Sequence, residues 1–278
     1  MRTWLLAGLI LATAWLSGCQ RAYFAAINAG HAPAAASAAY GPDPAQRVDI
    51  YRPATTQESP VVLFFYGGSW QGGRRADYAF VGAALAERGM LAVVADYRRF
   101  PQVRFPDFVD DGALALRWTR DHAAAFGADP QRLFVAGHSA GAHIAALLAT
   151  DAQYLQRVGL NPRDLRGAIG IAGPYDFLPL TDPDLQAIFG PEADWPRSQP
   201  VNFVDGDEPP FLLLHGEDDK LVWPRNSERL AARLRGAGIA VDYRTYPDLG
   251  HIRILGGLRS AAFAPTLADV DAFVRAHK

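Results

Sequence analysis

Residues 133–149 constrain this chain more than any other stretch. Leu133-Phe134-Val135-Ala136 is an apolar run of strand character. Gly137-His138-Ser139-Ala140-Gly141 is a turn with small residues on both sides of a serine, and 140–149 reads as a helix. A strand buried on both faces that turns sharply into a helix belongs to a parallel sheet with helical crossovers. The same alternation recurs from residue 45 onward. Strands are expected at 48–51, 61–66, 91–95, 133–136, 168–172, 211–214 and 241–246. Helices are expected at 77–88, 106–126, 140–149, 227–235 and 267–276. Pro106 opens the second of these helices and Gly127 closes it, as their backbone preferences require. The expected architecture is α/β, with a mostly parallel sheet covered on both faces. One long irregular insert, 173–210, holds eight prolines and reads as a small cap.

The chain has 278 residues, half of them hydrophobic, which is enough to bury a full core and excludes intrinsic disorder. Its 27 basic and 29 acidic residues give a net charge of -2 with no basic run, so a nucleic-acid partner is not expected. A single cysteine excludes a disulfide scaffold. The histidines lack metal-ligand spacing, and no G-x-G-x-x-G follows a first strand, so neither a metal nor an organic cofactor is expected.

Sheets of this kind carry their sites beyond the carboxyl ends of the strands. The Gly137–Gly141 turn is a G-x-S-x-G in the strand–turn–helix context that exposes a serine hydroxyl at a helix N-terminus, which marks Ser139 as a nucleophile. A serine needs a base, and the base needs an acid to orient it; in this arrangement they follow in the order acid, then histidine. His215-Gly216-Glu217-Asp218-Asp219 and Pro247-Asp248-Leu249-Gly250-His251 each follow a strand downstream of Ser139. His251 is the expected base, and Asp218 and Asp219 are both candidates for the acid. His31, His122 and His277 lie in the lead-in, mid-helix and at the tail. His138 and His143 precede the acid and read as packing or supporting residues. Tyr66-Gly67-Gly68-Ser69-Trp70 directly follows the apolar strand residues 61–65. Glycine there allows close backbone approach, so Gly68 and Ser69, with Ala140 after the nucleophile, are the expected oxyanion donors.

With these residues in hand the chain resembles an α/β-hydrolase of the carboxylesterase group related to hormone-sensitive lipase and the bacterial feruloyl-esterase-like enzymes. The likeness runs from about Tyr40 to the C-terminus. It includes Val48-Asp49-Ile50-Tyr51-Arg52-Pro53, Asp96-Tyr97-Arg98, Arg104-Phe105-Pro106 with Asp110, and Asp129-Pro130-Gln131-Arg132-Leu133. The family pattern H-G-x-x-D-x-x-V implies Asp219 as the acid, leaving Asp218 a solvated turn residue. Relatives usually carry histidine where this chain has Tyr66, and that histidine mainly braces the loop. The resemblance implies a serine carboxylester hydrolase that forms an acyl-enzyme on Ser139. Trp70, Tyr97, Tyr175 and Trp223 are the aromatic candidates for a substrate pocket. The short cap favours small or aryl esters.

An arylformamidase-like amide hydrolase is the alternative within enzymes, since those relatives share a Gly-Gly-x-Trp loop. A prolyl-oligopeptidase-like peptidase shares the histidine–aspartate segment but needs a large extra domain. A non-catalytic envelope lipoprotein that keeps the fold as a binding module is the alternative of another class.

The first residues read separately. Arg2 precedes an apolar stretch, 5–16, too short to span a bilayer, and Leu16-Ser17-Gly18-Cys19 resembles the bacterial lipobox. The expectation is a signal peptide over 1–18, lipid on Cys19, a tether over 19–44 that holds the domain clear of the membrane, and a catalytic domain over 45–278. Gln20 after the cysteine favours the outer membrane, facing the periplasm, over inner-membrane retention.

Overall fold

The computed structural model describes residues 22–55 and 58–277. The stretch read as a signal peptide, together with Cys19 and Gln20, lies outside the described residues.

Eight strands form one sheet in the order β1-β2-β4-β3-β5-β6-β7-β8. They are β1 Ala36–Ala39, β2 Arg47–Tyr51, β3 Ser59–Phe65, β4 Leu91–Ala95, β5 Ala128–His138, β6 Leu165–Ile171, β7 Phe211–Gly216 and β8 Val241–Tyr246. β1 and β2 run antiparallel at one edge, and every pair from β4 through β8 is parallel. The central strands are apolar because both of their faces are covered. In β3, Val62 and Phe64 face a cavity shared with Leu85 and Val270, whereas the ring of Phe65 points toward Gly112 and Ile144 on the opposite side.

The helices are α1 (22–28), α2 Ala79–Glu87, α3 Asp107–Ala123, α4 Ala140–Thr150, α5 Ala152–Gln156, α6 Pro183–Phe189, α7 Arg225–Gly236, α8 Gly256–Arg259 and α9 Thr266–Ala276. α2, α8 and α9 pack together on one face, and α3, α4 and α5 on the other. α3 passes into a 3₁₀ turn, Ala124–Phe126, which closes as expected at Gly127 with φ 81.

Two features differ from the sequence reading. The catalytic domain does not start at residue 45. Ala36–Ala39 pairs with β2, and Tyr40 is buried and donates its hydroxyl to the Asp96 carbonyl at 2.7 Å. An alanine edge strand has no hydropathy alternation to reveal it; its backbone hydrogen bonds hold it in place.

Nor is the stretch before β1 a free tether. Phe24 and Ile27 of α1 are buried, and the Phe24 ring lies 5.0 Å from that of Tyr78. Asn28 donates to the Asp77 carbonyl and accepts from the Phe80 N–H, both at 2.8 Å. These contacts dock α1 beside the turn that leads into α2.

The 173–210 insert lies between β6 and β7 and folds into α6 and two 3₁₀ segments, Glu192–Ser198 and Pro200–Phe203.

Candidate active site

β5 delivers its last residue, His138, and then Ser139, whose backbone adopts φ 55, ψ -123. That left-handed conformation is strained for a residue with a Cβ and persists only where the surroundings enforce it. Two glycines enforce it here. A Cβ on Gly141 would lie 2.1 Å from the Phe65 carbonyl oxygen, and one on Gly137 would lie 2.3 Å from the Gly141 carbonyl oxygen. α4 can therefore start directly against the end of β3, with Ser139 at its N-terminus.

β7 and β8 deliver the other two groups. Gly216 lets the β7 loop close on the β8 loop, since a Cβ there would meet the Leu249 carbonyl oxygen at 2.2 Å. The Asp218 N–H donates to that same carbonyl at 3.0 Å. The result is a continuous hydrogen-bonded series. Ser139 Oγ lies 2.7 Å from His251 Nε2, and His251 Nδ1 lies 2.7 Å from Asp219 Oδ2. The carboxylate accepts, so Nδ1 carries the proton and Nε2 presents its lone pair to the serine hydroxyl.

Asp219 is buried, whereas Asp218 is exposed. Burial alone would raise the Asp219 carboxyl; hydrogen bonds from His215 and His251 and from the Val222 backbone overcome it and hold the group well below the usual carboxylate range. Leu221 and Val222 each donate a backbone N–H to Oδ1 at 2.9 Å. His215 Nε2 lies 2.8 Å from the Val222 carbonyl and 3.3 Å from Asp219 Oδ2, while its Nδ1 accepts from Ser227 Oγ at 2.7 Å. In the sequence His215 has no role beyond membership of the motif; its position four residues before Asp219 is the signal for this contact.

The loop after β3 turns back on itself. Gly68, Ser69 and Trp70 have φ of 139, 52 and 57, and the N–H groups of Gln71 and Gly72 both return to the Gly68 carbonyl. A Cβ on Gly67 would lie 2.8 Å from the Ser139 Cβ, so this loop lies directly against the nucleophile turn. Among the described residues, the backbone N–H groups of Gly68, Ser69 and Ala140 donate to no protein acceptor. Tyr66 is fully buried. Its ring stacks on Tyr97 at 4.9 Å, and its carbonyl accepts from the Tyr97 hydroxyl at 3.0 Å.

The four aromatic candidates separate. Trp70 packs at the junction of loop and cap, with ring centroids 4.8 Å from Phe189, 5.1 Å from His143 and 6.0 Å from Phe177. Its Nε1 donates to His143 Nδ1 at 3.3 Å, and His143 Nε2 donates to the Ser198 carbonyl of the cap at 2.7 Å. Tyr97 and Tyr175 are wholly buried against protein and present no surface to a ligand. Trp223 stands 54% exposed, with Lys220 Nζ 5.9 Å from its ring. Residues just past strand ends can point down into the sheet as readily as up into the site, and sequence does not separate the two. A cavity of about 370 Å³ lined by Ala32, Pro33, Tyr51, Arg52, Ala83 and Glu87 among others includes none of the hydrogen-bonded series.

Residues 48–234 match the BD-FAE family model. Esterase LipC of Mycobacterium tuberculosis is 31% identical over 252 residues, covering 82% of this chain and 62% of that protein. A probable isoprenylcysteine alpha-carbonyl methylesterase of Arabidopsis thaliana is 31% identical over 77% of this chain and 51% of its own length. The chain thus spans between half and about six tenths of these curated relatives. Esterase 2 of Thermogutta terrifontis superposes with a TM-score of 0.76 at 27% identity, over 88% of this chain and 95% of that one. Structures of the same esterase with butyrate bound and phosphonylated by sarin match with TM-scores of 0.73 and 0.75.

Proposed function

Because the chain belongs to the BD-FAE family and has the α/β-hydrolase fold, we propose that it is a serine carboxylester hydrolase acting on short-chain or aryl esters. One observation carries the reading: the unbroken series from Ser139 Oγ through His251 to Asp219, with both contacts at 2.7 Å. His251 Nε2 takes the serine proton as Oγ attacks the ester carbonyl, and Asp219 stabilises the imidazolium that forms. The Gly68, Ser69 and Ala140 N–H groups receive the developing oxyanion. His251 then protonates the leaving alcohol. Water, deprotonated by the same imidazole, releases the acid from Ser139.

The short cap, 173–210, favours a small or aryl ester over a long acyl chain. The butyrate-bound structure of the Thermogutta terrifontis esterase supports the same size class.

Purified Ser139→Ala is expected to lose p-nitrophenyl acetate hydrolysis by several powers of ten; turnover at the wild-type rate overturns the assignment. Labelling of Ser139 by a fluorophosphonate separates an enzyme from a non-catalytic binding module. A panel graded by acyl length and alcohol type, with formyl-kynurenine included, separates an esterase from an arylformamidase-like enzyme.

We also infer that Cys19 is lipidated and that the protein resides in the cell envelope, on the outer membrane facing the periplasm. The lipobox-like Leu16-Ser17-Gly18-Cys19 and Gln20 support this. Ala22, the first described residue of α1, lies three residues after Cys19, and the Tyr23 hydroxyl lies 3.4 Å from the carbonyl of Ile252, next to His251. Three residues reach at most about 11 Å. A lipid on Cys19 would therefore hold the carboxyl end of the sheet close to the bilayer, not clear of it. Cys19→Ser is expected to abolish fatty-acid labelling, and undiminished label overturns this reading.

A further inference from the structure

Three hydrogen bonds join the loops on either side of Ser139 through a histidine that the ester chemistry does not use. The Gly67 N–H donates to Tyr78 Oη at 3.3 Å, Tyr78 Oη lies 3.1 Å from His138 Nδ1, and His138 Nε2 lies 3.0 Å from the His251 carbonyl oxygen. Their directions are forced. A carbonyl only accepts, so His138 Nε2 carries the proton. Nδ1 then has only a lone pair and accepts the Tyr78 hydroxyl proton, which leaves the phenol oxygen to accept from Gly67. Every group in the relay is buried, so each broken link would leave an unsatisfied donor or acceptor without water to replace it. Burial, with His251 adjacent, pushes the His138 imidazole down to about 3, so the ring stays neutral and keeps one tautomer near pH 7.

We propose that His138 and Tyr78 are positioning residues that fix the oxyanion loop at Gly67 relative to the backbone of His251. The inference rests on the esterase reading above. The relay passes beneath the nucleophile: His138 immediately precedes Ser139, and a Cβ on Gly67 would lie 2.8 Å from His138 Nδ1. The residue at position 66 does not supply this brace through its side chain, because the Tyr66 hydroxyl makes no hydrogen bond among the described residues. Tyr78, twelve residues further on, reaches back to the loop instead. The relay acts on distance alone. It transfers no proton during turnover, and it keeps two backbone segments in register where a misplacement of about 1 Å can lower the rate 100-fold.

The test compares wild type, Tyr78→Phe, His138→Leu and His138→Gln in p-nitrophenyl acetate hydrolysis. Rates are expressed per site titrated with a fluorophosphonate, so that misfolded protein drops out. Tyr78→Phe keeps the ring and removes only the hydroxyl; it should lower kcat per titrated site about tenfold or more with KM within about twofold. His138→Leu should lose more. His138→Gln, whose amide can still donate to the His251 carbonyl, should recover part of that loss. The proposal is overturned if folded Tyr78→Phe and His138→Gln keep wild-type kcat per site, including the case in which only the number of titratable sites falls. A wild-type protein that neither labels nor turns over overturns the esterase reading, and the proposal with it. An active wild type with unaffected variants overturns the relay alone.

Discussion

Ser139 and Asp219 show how much a single residue's surroundings decide. Asp218 and Asp219 are adjacent and chemically identical, yet one is exposed and the other is buried against two histidines. Asp219→Asn is expected to lower kcat by about 10³–10⁴, because the amide favours the wrong tautomer of His251. Asp218→Asn should stay within about twofold of wild type, and steady-state kinetics on both variants checks the pair. His138 and His143 make a pH prediction. Burial depresses both, to about 3 and about 4 from an ordinary 6.5. Above pH 6.5 both are neutral in the folded and unfolded chain and cost nothing. As pH falls from about 6.5 toward 4, the unfolded chain takes up two protons that the folded one refuses. Each removes about 1.4 kcal/mol of stability per pH unit. Urea unfolding should thus show a loss of roughly 3–4 kcal/mol between pH 7 and pH 5; a flat profile would refute it. The meeting of Ser139 with His251 was legible in sequence, because strand-end position and chain order restrict both. The paths of His138, His143 and Tyr78 were not, since each depends on a partner between 55 and 113 residues away.

At the scale of elements, α4 and α1 carry different lessons. The sharp turn from β5 into α4 was readable, because G-x-S-x-G in a strand–turn–helix context requires small residues on both sides of the serine; the approach of Gly141 to Phe65 was not. Gly141→Ala would gain about 1 kcal/mol of intrinsic helix propensity. It must also move the backbone of Phe65 or Tyr66, which lies within 2.6 Å of the added Cβ. Net destabilisation and lost fluorophosphonate labelling are expected, and a thermal melt read beside the labelling checks both. α1 and β1 were not recognised as part of the fold. Alanine-rich segments have little amphipathic signal, and only Phe24 and Ile27 bury substantial side chains there. Phe24→Ala should cost about 3 kcal/mol in urea unfolding if α1 is an integral part of the core. A cost below about 0.5 kcal/mol would restore the reading of a free tether.

Across the whole molecule, α1 joins the N-terminal segment to the end of the sheet that holds His251. The short reach from Cys19 to α1 then has a measurable consequence for the proposed lipoprotein. Inserting a flexible spacer of about 20 residues between Gln20 and Arg21 should leave hydrolysis of a soluble ester unchanged. Hydrolysis of an ester carried in vesicles holding the lipidated protein should fall, because the site would no longer be confined to the surface. Equal rates on both substrates would show that the anchor does not orient the domain.

Sequence alone determined the sheet-and-helix architecture, the nucleophile turn and the order of serine, acid and base. These follow from local periodicity, small residues at a sharp turn, and strand ends that the chain reaches one after another. Only the tertiary structure decided where the alanine-rich lead-in goes, which aromatics face protein, and how His138 and His143 link the 67–70 loop to the His251 backbone and to the cap. Those outcomes depend on hydrogen bonds and close approaches between distant segments. Their strength comes from burial, which no residue carries until the chain has packed.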